Sequence, residues 1–119
     1  MTASPSALPL GPRLRVDMAA AGPWIVIELF GELDLATVPA LMEQAETAIA
    51  MTGAPWLALD LSQVSFCDSS GLNAFIRLWK HLRKVRGELA LLRPHRRVFN
   101  LLERTGLDGV MQICDTLPA

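Results

Sequence analysis

The chain has 119 residues, 51% of them apolar and 19% charged, with a formal net charge of −1. That suffices for one domain with a packed core, and so even a charge balance leaves no footprint for nucleic acid or an anionic membrane surface. No apolar run exceeds four residues, as in Trp24-Ile25-Val26-Ile27, far short of the roughly 20 that span a bilayer.

Residues 1–12, with Pro5, Pro9 and Pro12 among Ser and Ala, read as a disordered or loosely attached tail, without the basic and apolar regions of a signal peptide. Residues 13–119 then read as one domain. Residues 14–18 alternate apolar and polar, as a strand does, and Ala21-Gly22-Pro23 is turn chemistry. Residues 24–30 are rich in β-branched and aromatic types, so a second strand and a hairpin are predicted. Gly31-Glu32-Leu33-Asp34 is expected to end that strand, with Asp34 or Thr37 capping a helix whose apolar face is Val38, Leu41, Met42, Ala45 and Ile49.

Residues 56–61 form an almost unbroken apolar run around Asp60, the pattern of a buried central strand. After Asp68-Ser69-Ser70-Gly71 comes the strongest helical pattern: Leu72, Phe75, Ile76, Trp79, Leu82 and Val85 share one face, and Asn73, Arg77, Lys80, His81 and Lys84 the other. Gly87 is expected to end it as a C-terminal glycine. A short strand over 88–92, a helix from Pro94 through Leu102 to Gly106, a last strand over 110–113 and a tail over 116–119 complete the chain. The order β-β-α-β-α-β-α-β predicts an α/β domain: a mixed sheet of about five strands with helices packed against it.

The chemistry-bearing residues exclude more than they select. His81 lies twelve residues beyond Ser69, roughly 18 Å along a helix, and so cannot serve it as a base. Gly-x-Ser-x-Gly and Gly-rich phosphate loops are absent, so no enzyme is expected. Glu32, Asp60 and Asp68 could meet at strand ends, but scattered acids usually serve turns and caps, and no metal or cofactor is expected. Cys67 and Cys114 read as two reduced thiols of a cytoplasmic protein, Cys67 filling an apolar position. Arg93, His95, Arg96, Arg97 and Arg104 read as a solvated helix face.

Two hydroxyls and an acid at the mouth of one helix exceed what a single cap requires. A helix N-terminus suits an anion, so a serine there can cap the helix or carry a phosphate. Gly71 in the first turn leaves the backbone open to a close approach.

The stretch Val64-Ser65-Phe66-Cys67-Asp68-Ser69-Ser70-Gly71-Leu72 closely resembles the signature of the anti-sigma factor antagonists, the bacterial anti-anti-sigma proteins of the STAS domain class. Phe30-Gly31-Glu32-Leu33-Asp34 is similar to that family's turn before its first helix. Val98-x-x-Leu101-Leu102-x-x-Thr105-Gly106-Leu107-Asp108 is similar to its third helix and the turn after it. The resemblance implies a STAS fold and a regulatory binding protein. It implies that Ser69, or Ser70 as a second candidate, is phosphorylated by a partner anti-sigma factor that is an ATP-dependent serine kinase. The dephosphorylated form would bind that kinase and free the sigma factor, and a PP2C-like phosphatase would restore the serine. The implied partner surface is Asp34, Asp68, Ser69, Ser70, Gly71 and Asn73. Asn73 stands where the family usually has a smaller residue, on the polar side of the helix. A monomer or weak dimer is expected, and a STAS scaffold or a soluble subunit of a lipid-transport complex is the alternative.

Overall fold

Residues 13–52 and 55–118 are described by a computed structural model of the chain. The expected tail over residues 1–12 lies outside them. Strands β1 (Leu14–Ala21), β2 (Trp24–Leu33), β3 (Trp56–Cys67), β4 (Glu88–Leu92) and β5 (Gln112–Cys114) form one sheet in the order β1-β2-β3-β4-β5. β1 runs antiparallel to β2, and β2 to β5 are mutually parallel. Helices α1 (Val38–Thr52), α2 (Ser69–Lys84) and α3 (Arg96–Arg104) connect the parallel strands, and a 3₁₀ turn (Leu107–Gly109) precedes β5. The predicted element order and mixed sheet are those observed.

Strand alternation divides the apolar residues between two faces. Leu57, Leu59 and Leu61 of β3 join Ile27, Leu29 and Leu33 of β2, together with helix residues Leu41, Phe75 and Leu78, in the main core. On the other face Trp24, Ala58, Ala90 and Leu92 form a second cluster without any helix residue. There the C-terminal segment provides the cover: Leu117 packs on the cluster and the Trp24 indole N–H donates to the Pro118 carbonyl at 3.2 Å. Residues 116–118, expected to be a tail, are thus part of the fold.

Several expectations change at element ends. β2 does not stop at Gly31 but continues to Leu33, through register shifts at Glu28/Phe30 and Gly31/Glu32. Gly31, at φ 128°, makes this bend, because a Cβ there would lie 2.1 Å from the Arg13 carbonyl oxygen. β3 extends seven residues beyond Asp60, to Cys67, because β2 still pairs with it after β4 has ended. β5 starts at Gln112 rather than 110, since Val110 and Met111 both donate to the Leu107 carbonyl and close a turn.

The end of α2 also departs from expectation. The left-handed residue is Arg86 (φ 61°), not Gly87. Arg86 N–H donates to Arg83 and Gly87 N–H to Leu82 at 2.7 Å, the paired bonds of a Schellman turn. Gly87 is required for space instead, as a Cβ there would meet the Pro55 carbonyl oxygen at 2.3 Å. A side chain in the left-handed region costs about 1–2 kcal/mol. Arg86→Gly is therefore expected to stabilise the domain by about 0.5–1 kcal/mol, net of glycine's chain entropy, read as a raised midpoint in thermal melting.

Candidate functional site

The parallel strands β2 and β3 end side by side, with Leu33 opposite Cys67. The Asp68 N–H donates to the Leu33 carbonyl at 3.1 Å, which joins the turn after β2 to the start of α2. The two segments singled out in the sequence, around Asp34 and Asp68, therefore meet at one end of the sheet. In sheets of this kind the carboxyl ends of the strands are where ligands and partners bind.

Asp68 is the N-cap of α2. Its backbone is extended (φ −110°, ψ −166°), and its Oδ1 accepts from the Ser70 N–H at 2.8 Å. The Leu72 N–H donates to the Asp68 carbonyl at 3.1 Å. The cap is thus a carboxylate, and neither serine hydroxyl is needed for it. Ser69 is the first helical residue and is exposed, whereas Ser70 is half-buried. An exposed hydroxyl at the positive end of a sixteen-residue helix whose first turn contains no acid is well placed to carry an anion.

Gly71 is buried rather than open to an incoming partner. A Cβ there would lie 2.5 Å from Cys67 Sγ and 3.1 Å from Leu33 Cβ, so the close approach that requires glycine is internal. Burial, with the Asp68 charge adding to it, pushes the Cys67 thiol up to about 12. Cys67 is therefore a neutral packing group at physiological pH and not a thiolate nucleophile. Gly71→Ala is expected to cost about 1–3 kcal/mol by overpacking. In urea unfolding, the Gly71→Ala/Cys67→Ala pair should be less destabilised than the sum of the single variants, since the closer contact is gone.

Asp34 shapes its own turn. Its Oδ1 accepts from the Ala36 and Thr37 N–H groups, and Thr37 Oγ1 accepts from the Asp34 N–H and donates to the Glu32 carbonyl at 2.7 Å. Both residues expected to cap α1 therefore take part. Arg13 bridges Asp34 at 2.7 Å and Glu32 at 3.0 Å. Burial pushes the Asp34 carboxyl up, but the hydrogen bonds from Arg13, Thr37 and Ala36 outweigh this and hold it below the ordinary carboxylate value.

Glu32, Asp60 and Asp68 do not converge. Glu32 pairs with Arg13, Asp68 caps α2, and Asp60 lies on the face opposite the helices, bonded to Arg93. Arg93 thereby leaves the expected basic face of α3, while Arg97 and Arg104 line a cleft of about 310 Å³ with Phe66, Cys67 and Leu101. Asn73 is exposed one turn into α2. The expected partner surface did not include Leu35 (80% exposed) or Phe66 (49% exposed), two apolar side chains at this same sheet end. Their signal was present: Leu35 adjoins Asp34 and Phe66 lies two residues before Asp68, next to turns where a buried role is not required.

Among the described residues, no helix is long and apolar enough to cross a membrane. The family model of the STAS domain matches residues 15–119. The anti-sigma-B factor antagonist of Listeria monocytogenes is 38% identical over 89 residues, covering 73% of this chain and 77% of that protein. A solved anti-sigma factor antagonist from Mycobacterium paratuberculosis superposes with a TM-score of 0.78 at 27% identity, covering 87% of each chain. The anti-sigma factor antagonist SpoIIAA in its unphosphorylated form superposes with a TM-score of 0.72 at 28% identity, covering 83% of this chain and 87% of that one. The phosphorylated form of the Bacillus protein gives 0.65 at 27%, covering 84% and 89%.

Proposed function

We propose that this chain, which belongs to the STAS-domain family of anti-sigma factor antagonists, is a phosphorylation switch: unmodified it binds an anti-sigma factor that is an ATP-dependent serine kinase and so frees a sigma factor, and a phosphate on Ser69 ends that binding. The observation that carries the reading is the division of labour at the start of α2, where Asp68 caps the helix and leaves the exposed Ser69 hydroxyl free for chemistry. That relatives of this family include a protein solved in both phosphorylated and unphosphorylated forms supports it. The role is regulatory rather than enzymatic, and it belongs in the cytoplasm.

A phosphoryl group adds about −1.5 to −2 charge at neutral pH. At the first position of α2 the helix dipole and the unpaired N–H groups of the first turn accommodate it, so the domain stays folded. A partner surface seated over Ser69, Leu35 and Asn73 meets both the added bulk and a charge next to Asp68. Ser70 is the second candidate, but its half-buried position makes it the poorer acceptor. A PP2C-like phosphatase would reset the switch.

The test is intact-mass spectrometry of the parent chain, Ser69→Ala and Ser70→Ala, each incubated with ATP and the anti-sigma kinases of the same cell. One phosphate on the parent and on Ser70→Ala, and none on Ser69→Ala, is the expected result. Phosphate retained by Ser69→Ala moves the switch to another residue. Tight binding without phosphate reduces the protein to an unregulated antagonist or a scaffold.

A further inference from the structure

We infer that two copies of this chain pair through their β1 strands into an isologous dimer, joining two five-stranded sheets edge to edge. β1 is an edge of the sheet, and among the described residues only β2 pairs with it. An eight-residue edge is long, and edges are normally blunted by proline, lysine or bulges. This one has none of these: its sequence is Leu14-Arg15-Val16-Asp17-Met18-Ala19-Ala20-Ala21.

The hydrogen-bond phase shows which backbone groups face outward. The Glu32 N–H donates to the Arg13 carbonyl at 3.0 Å across the Leu14–Gly31 pair. Leu14–Gly31 is thus a non-hydrogen-bonded pair, and Arg15, Asp17 and Ala19 are the residues whose N–H and C=O face β2. By alternation Leu14, Val16, Met18 and Ala20 turn theirs to the open edge.

Charge then selects one register. With the two-fold axis at Val16, Val16 meets Val16 of the second copy, Leu14 meets its Met18, and all of these are hydrogen-bonded pairs. Arg15 falls directly opposite Asp17 of the other copy, and Asp17 opposite its Arg15, in the closely spaced non-hydrogen-bonded positions about 4.5 Å apart at Cα. Arg15 and Asp17 already pair along their own strand at 3.4 Å, so the four side chains alternate in sign. Moving the axis to Asp17 would instead set two aspartates face to face. In the chosen register Met18, 40% exposed in the single chain, is covered by Leu14 of the second copy. The contact is small and reversible, a concentration-dependent dimer rather than an obligate one.

Sedimentation equilibrium of the full chain across micromolar to millimolar concentration is the test, with melting curves confirming the fold of every variant. The parent is expected to shift from monomer to dimer. Asp17→Arg, which opposes two arginines twice, should raise the dissociation constant at least about tenfold. Arg15→Asp/Asp17→Arg restores the pairing by symmetry and should restore the dimer. Met18→Pro, which removes only an outward-facing donor, should abolish it while leaving the β2 ladder intact. A parent that stays monomeric overturns the inference. So does an Asp17→Arg variant that dimerises like the parent, or a folded double variant or Met18→Pro variant that behaves oppositely.

Discussion

Ser69→Asp and Ser69→Glu are expected to weaken binding to the proposed anti-sigma kinase by roughly a hundredfold, the equivalent of about 3 kcal/mol, while the domain keeps or slightly gains stability. The two effects separate because of where Ser69 sits. As the first residue of α2, after an N-cap supplied by Asp68, it accepts a carboxylate that the helix dipole favours by about 0.3–1 kcal/mol. The same carboxylate stands on the exposed surface beside Asp68, where a docked partner must tolerate it. Ser69→Ala should bind like the parent, since the hydroxyl contributes nothing to the cap. Asp68→Ala is the control in the opposite direction: it loses the bond to the Ser70 N–H and about 1 kcal/mol of stability. Calorimetric titration with the kinase, together with thermal melting of each variant, reads both quantities. Undiminished affinity of both acidic variants would remove Ser69 from the interface.

The largest loss of stability is expected on the opposite face of the sheet, at Arg93. Its guanidinium bonds the Asp60 carboxylate, which is only 5% exposed, and donates to the Asp115 carbonyl at 3.0 Å. Its own N–H donates to the Cys114 carbonyl at 2.9 Å, and its backbone is left-handed (φ 50°). One residue therefore ties β3, β4 and the C-terminal segment together. Arg93→Ala leaves a buried carboxylate without its cation. Such a loss costs about 3–5 kcal/mol for a fully buried pair, and about 2–3 kcal/mol here, where the arginine side chain is half-exposed. Arg93→Ala/Asp60→Asn should recover much of that.

The pH dependence carries a defined sign. Burial pushes the Asp60 carboxyl up, but the Ser62 N–H and hydroxyl and then Arg93 outweigh it, so its pKa lies below the ordinary value. A depressed folded-state pKa gives stability that is present above the unfolded value of about 3.9 and lost as pH falls through the folded one. The gap between parent and Arg93→Ala, measured by urea unfolding, should therefore be full at neutral pH and shrink in that acid window. A gap independent of pH would mean that Arg93 acts only through the carbonyls of residues 114 and 115.

Periodicity alone placed α1 and α2. Val38, Leu41, Met42, Ala45 and Ile49 are buried as their spacing predicts, and Glu43, Gln44, Glu46 and Thr47 are exposed. The face of α2 was legible too, although Ala74 and Leu78, not singled out, are buried more deeply than Ile76 and Trp79. A helix on a sheet buries a wider stripe than one row of large residues. The Asp68-Ser69-Ser70-Gly71 turn was legible as the mouth of a helix because strand pattern, turn residues and helix pattern adjoin there. These are all local facts, each contained within a few residues of chain.

What the sequence by itself determined, then, was the order of elements, the buried faces of the helices and the helix mouth to which the proposed switch is assigned. Only the tertiary structure decided which residue performs each task. Gly31, Gly71 and Gly87 are glycines because Arg13, Cys67 and Pro55, respectively 18, 4 and 32 residues away along the chain, approach too closely for a Cβ. Arg93 is an ion-pair partner rather than part of a basic face because parallel pairing of β3 with β4 brings Leu92 opposite Asp60. Leu35 and Phe66 come to the same end of the sheet because β2 and β3 end together. Apart from the Gly71–Cys67 contact, made within one strand-to-helix turn, these depend on approaches between distant segments, and residues brought together that way share no local pattern from which their contact could be read.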